Sequence, residues 1–81
     1  MECFVYRSSR KADTYLYLPA RDEFSELPEG LLQLFGKPVF SFSFDLTPDR
    51  KLVRENAAEV FDNLADQGFH LQIAAENKEP E

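Results

Sequence analysis

The chain has 81 residues, of which 43 % are hydrophobic and 30 % charged, with eight Phe, three Tyr and a net charge of −6. One domain of this size buries only about 60 to 65 % of the surface its unfolded form exposes, so its core is thin, yet the aromatic content is that of a folded chain. A single cysteine, Cys3, excludes a disulfide framework and a Cys-based zinc site, which needs about four ligands. No apolar run approaches the roughly 20 residues of a membrane span. A charged residue follows Met1 directly and no apolar stretch comes after it, against a signal peptide. The expectation is a soluble, cytoplasmic, single-domain protein. Net acidity repels phosphate backbones and disfavours nucleic acid. The first 21 residues are the only net-positive segment, with Arg7, Arg10, Lys11 and Arg21 against Glu2 and Asp13.

In chain order, Glu2-Cys-Phe-Val-Tyr-Arg7 is rich in aromatic and β-branched types and predicts a strand. The polar stretch 8–13 is a turn, and Thr14-Tyr-Leu-Tyr-Leu18 predicts a second strand stopped by Pro19, making an antiparallel hairpin. Residues 19–27 are irregular, anchored by Phe24 and Leu27. Pro28 and Glu29 suit the first turn of a helix whose apolar stripe is Leu31, Leu32, Leu34 and Phe35. Gly36 supplies its left-handed cap and Pro38 forbids continuation. Val39 to Leu46 alternates strictly, Phe40, Phe42, Phe44 and Leu46 on one side and Ser41, Ser43 and Asp45 on the other. This predicts a strand with one dry and one wet face.

Thr47-Pro48 opens a turn. Asn56-Ala-Ala-Glu59 matches a capping box for a second helix, buried through Val53, Ala57, Val60, Phe61 and Leu64 and ended by Gly68. Phe69 to Ile73 predicts a last strand with Phe69, Leu71 and Ile73 inward. Residues 74–81 form an acidic tail expected to be disordered, which leaves 1–73 as the domain. The expected fold is α+β, a single mixed four-stranded sheet in the order β-β-α-β-α-β. Its last unit would be a parallel right-handed crossover, and both helices would pack on the Phe face.

Chemistry-bearing constellations are few. Cys3 and His70 would form a nucleophilic pair if the first and last strands were neighbours, but Cys3 lies in an apolar strand and reads as a small hydrophobe. His70 alternates with Phe69 and Leu71 and reads as a solvent-facing side chain. No ligand spacing suggests a metal and no Gly-rich loop suggests a phosphate or cofactor site. The expectation is a non-enzymatic domain.

The wet face is expected to gather Tyr15, Tyr17, Ser41, Ser43, His70 and Gln72, with Tyr6, Arg7, Arg10 and Lys11 beside them. Three readings compete for its tyrosines. They are half-buried by a loop or the tail, they form a patch for an unknown protein partner, or they stack RNA bases in an RNA-associated accessory role.

Tyr6-Arg7-Ser8-Ser9-Arg10-Lys11 followed by Tyr15-Leu16-Tyr17 resembles the start of the YcgL-domain family of small proteobacterial proteins. Pro28-Glu29-Gly30-Leu31, Phe35-Gly36-Lys37-Pro38, Leu46-Thr47-Pro48 and Gln67-Gly68-Phe69-His70-Leu71-Gln72 match its later blocks in order. The resemblance implies a compact α/β domain of its own type and carries no activity with it.

Overall fold

A computed structural model describes residues 1–25, 27–52 and 55–73. Four strands and two helices follow the expected order: β1 (Glu2–Arg7), β2 (Tyr15–Leu18), α1 (Glu29–Phe35), β3 (Val39–Asp45), α2 (Ala57–Gln67) and β4 (His70–Gln72). They make one α+β domain around a single sheet ordered β3-β1-β2-β4. The stripe residue Val53 and the expected tail at 74–81 lie outside the described residues.

The sheet is antiparallel at every pairing, not mixed. β3 and β4 occupy opposite edges, so the chain between them is no parallel crossover between neighbours. The reason lies in the two hairpin strands. β1 is apolar on both sides, Cys3 and Val5 on one and Phe4 and Tyr6 on the other, and β2 matches it with Leu16 and Leu18 backed by Tyr15 and Tyr17. Strands apolar on both sides are most stable at the centre of a sheet, and β3 and β4 are left to flank them.

Two covered faces need two covers. On one side Ala57, Val60 and Leu64 of α2 pack on Cys3, Val5 and Tyr17, with Leu46 completing the cluster. On the other, Phe35 of α1 packs with Tyr6, Leu16 and Leu18, and Phe24, Leu27 and Leu31 close its rim. The helices therefore lie on opposite faces, correcting the expectation that both share the Phe face. Helix, sheet and helix form three layers, and burying a side chain such as Leu16 or Leu18 stabilises the fold by about 1.5–3 kcal/mol.

Local chemistry sets the helix ends. Asn56 caps α2, its Oδ1 accepting the Glu59 backbone N–H at 3.1 Å, and Gly68 ends it in the left-handed region at φ 83°. Pro28 precedes α1, and Gly36 follows with φ 80° and ψ −162°, donating to the Leu32 carbonyl at 2.8 Å. This backbone has a positive φ but is not the left-handed helical cap expected there. Ser8, buried at the end of β1, donates to the Phe35 carbonyl at 2.5 Å and accepts the Arg10 and Lys11 backbone N–H groups. One hydroxyl thus ties the hairpin turn to the end of α1.

β3 also departs from strict alternation. Phe42 is opposite Val5, but Phe40 is opposite Tyr6, with a register shift between Val5 and Tyr6. The extra residue, Ser41, turns Phe40 onto the α1 face while Phe42 and Phe44 stay on the α2 face. Phe40 and Phe42 are both exposed, at 37 % and 48 %, because an edge strand lies beyond the cover of either helix.

Candidate functional site

The residues expected on one wet face do not share one. Tyr6 is buried on the α1 face, where its ring meets Phe24 and Phe40 edge-on at 5.1 and 5.6 Å. Tyr17 is buried on the α2 face, and its hydroxyl donates to Gln72 Oε1 at 2.7 Å. Burial first, and the Glu55 carboxylate second, push that hydroxyl up to about 12. Tyr15 and Gln72 are half-buried. Arg7, Arg10 and Lys11 are exposed around the hairpin turn, and Ser41 and Ser43 are exposed on β3, at the far side of the sheet from Gln72. Tyr6 and Tyr17 accordingly offer no free ring face for stacking a base. The alternation does not reveal this, because α2 covers Tyr17 on the side of the sheet expected to be open and α1 covers Tyr6 on the other.

His70 is buried rather than solvent-facing. It lies opposite Tyr17, and its ring meets the Tyr17 ring edge-on at 5.5 Å. Asn63 Nδ2 donates to its Nδ1 at 2.9 Å, and its Nε2 is paired with Glu55. With both ring nitrogens engaged, His70 has no lone pair directed at a substrate and pins β4 to α2. Cys3 is fully enclosed, and burial pushes its thiol up to about 12 from an ordinary 9.0. A neutral, buried thiol is a poor nucleophile. β2 separates the strands of Cys3 and His70, so they are not neighbours as the nucleophilic reading requires. Among the described residues no cluster of three His, Cys, Asp or Glu could hold a metal, and no helix is long and apolar enough to cross a membrane.

A feature that the sequence does not reveal is the outer edge of β3. Seven residues long, it has no strand on its outer side among the described residues, whereas β4 at the other edge has three. On the α2 face Phe42 and Phe44 stack at 5.9 Å with 30° between their planes. The Arg50 guanidinium lies 4.8 Å from the centre of the Phe44 ring, and its Nη1 donates to the Asp45 carbonyl at 3.0 Å. On the α1 face Arg21 lies 4.3 Å from the centre of the Phe40 ring. Cations over ring faces are worth about 0.5–1 kcal/mol at exposed sites, so they hold both edge aromatics in place. A groove of about 520 Å³ runs beside Phe42, Ser43 and Phe44 and continues past Arg50, Lys51 and Leu52 to Tyr17 and Gln72. A second, of about 410 Å³, lies between the hairpin turn and α1, lined by Lys11, Thr14, Leu34, Phe35 and Ile73 among others. The register shift in β3 could not be seen in the alternation of Val39 to Leu46, which continues unbroken through it.

The family model of the YcgL domain matches residues 3–75. A YcgL domain-containing protein of Thioalkalivibrio sulfidiphilus is 45 % identical over 80 residues, 99 % of each chain. YcgL domain-containing proteins of Pseudomonas putida and Pseudomonas aeruginosa are each 49 % identical over 71 residues, which is 88 % of this chain and 73 % of theirs. A match spanning both core clusters, the hairpin and the β3 edge leaves one conclusion: the chain belongs to the YcgL domain family.

Proposed function

We propose that this protein is a non-enzymatic binding module that receives an extended segment of a partner protein along the outer edge of β3. The observation that supports this reading is the edge itself: seven residues, Val39–Asp45, with neither Pro nor Lys inside them and Phe40 and Phe42 exposed on opposite faces. An edge strand presents a row of unpaired N–H and C=O groups, and native proteins commonly blunt such edges with charge, Pro or a covering element. An incoming strand would satisfy those groups and cover one Phe on each side. Cys3 and His70, the residues with most chemical capability, are both committed to packing, which favours binding over catalysis.

The test is site-specific photo-cross-linking in the expressing cell. A cross-linker at Ser41 or Ser43 is expected to give a discrete protein adduct that disappears in a Phe42→Lys background. The same group at Asp62, exposed on α2, serves as the control. Adducts of the same kind from Asp62, or none from either serine, would remove the β3 edge as the binding surface.

A further inference from the structure

We infer that the segment received at β3 is acidic, with a carboxylate two residues from an apolar side chain. The inference rests on the reading of β3 as the docking edge and specifies the chemistry of its partner. The groove on the α2 face of that edge is lined by two charged side chains, Arg50 and Lys51, and both are cations in a chain of net charge −6. Neither makes an ion pair among the described residues. Asp45, the acid on the strand itself, lies opposite Glu2 and so projects to the face away from Phe44 and the groove.

Geometry sets the spacing. An added strand places residues i and i+2 on the same face, about 6.6 Å apart. An apolar side chain at i that covers Phe42 therefore puts residue i+2 beside Phe44, where Arg50 lies over the ring. Arg50 spends one N–H on the Asp45 carbonyl and retains others in its five-donor fork for a carboxylate. The overall negative charge does not oppose this at contact distance, because exposed charges beyond about 8 Å are largely screened at physiological ionic strength.

The experiment uses the full chain and three fluorescein-labelled seven-residue peptides, Thr-Val-Thr-Xaa-Thr-Val-Thr with glutamate, glutamine or lysine at Xaa, so that in either strand direction the variable residue lies two positions from a valine on the same face. Binding is read by anisotropy and mapped by backbone amide shifts. The glutamate peptide is expected to bind about tenfold tighter than the glutamine peptide at 0.1 M salt and to shift the β3 amides. The lysine peptide is expected to be weakest. Arg50→Gln with Lys51→Gln should bring the glutamate and glutamine peptides within twofold of each other. Lys51→Gln alone, at an exposed side chain, should give an intermediate loss without disturbing the fold. Equal binding of the glutamate and glutamine peptides overturns the acidic preference while leaving docking at β3 intact. Binding unaffected by Phe42→Ala overturns both. A single-stranded oligouridine that shifts the same amides and outcompetes the glutamate peptide would replace the acidic segment with a nucleic acid.

Discussion

Tyr6 and Asp22 are joined twice: the Tyr6 hydroxyl donates to Asp22 Oδ1 at 2.8 Å and accepts the Asp22 backbone N–H at 2.6 Å. Asp22 has φ 59°, a left-handed backbone that costs a non-glycine residue about 1 kcal/mol or more. A ring at the sheet centre thus fixes the loop that carries Arg21 over Phe40. Tyr6→Phe removes both hydrogen bonds and leaves the ring packing unchanged. The expected loss is about 1–2 kcal/mol, a fall in Tm of roughly 4–15 °C for a domain of this size. Thermal unfolding followed by circular dichroism checks it, and an unchanged Tm would show that the loop does not depend on Tyr6.

Gly30 and Gly36 predict opposite signs for the same substitution. A Cβ on Gly30 would meet nothing within 4 Å, and Ala is the better helix former, so Gly30→Ala is expected to stabilise by about 0.5–1 kcal/mol. At Gly36 φ is +80° and a Cβ would come within 2.5 Å of Ser9 Oγ and 2.6 Å of Arg10 Cγ. Gly36→Ala should therefore cost about 1–3 kcal/mol, a range set by the backbone conformation. Urea unfolding of both variants measures the difference, and two shifts of the same sign would contradict the account.

Much of this architecture was legible where local rules act alone. The hairpin, the Asn56 cap, the Gly68 stop and the six elements in order follow from propensity and turn chemistry. Strand placement was not legible, because it depends on which strands are apolar on both sides, a comparison between segments rather than a property of one. β1 carried that signal in Phe4 and Tyr6 against Cys3 and Val5. Once two faces need covering, α1 and α2 part company, and Tyr17 and His70 move from an open face into a core. Of the candidate surface, Ser41 and Ser43 are exposed as expected, whereas Tyr6 and Tyr17 are packed. The register shift beside Ser41 left no trace in the pattern, since Phe, Ser and Phe alternate whether or not one residue is unpaired.

Two phenylalanines separate structure from surface. Phe35 is 2 % exposed among Tyr6, Leu16 and Leu18, and Phe35→Ala is expected to cost about 3–5 kcal/mol. Phe42 is 48 % exposed at the edge, and Phe42→Ala should cost about 1 kcal/mol or less, chiefly its stacking on Phe44. Chemical denaturation of the two variants gives the comparison. A loss at Phe42 equal to that at Phe35 would make Phe42 part of the core and withdraw it from the proposed docking edge.

Cys3 and Tyr17 together set an alkaline limit on the fold. Both are acids whose neutral form is favoured by burial, with folded values of about 12 against ordinary values of 9.0 and 10.0. Below pH 9 both are protonated whether the chain is folded or not, and their contribution to stability is fully present. Above pH 9 the unfolded state releases the Cys3 proton while the folded state retains it, so stability falls as pH rises toward about 12. Tyr17 steepens the decline above pH 10. Cys3→Ala leaves a small cavity and lowers stability at neutral pH, but it should flatten the decline between pH 9 and 10, where Cys3 acts before Tyr17. Urea midpoints at pH 8, 9 and 10 for the two proteins test this directly. A disulfide reagent at pH 8 gives an independent check, since it should label Cys3 at a rate that rises with urea as the protein opens. Rapid labelling without urea would place the thiol at the surface and end the argument.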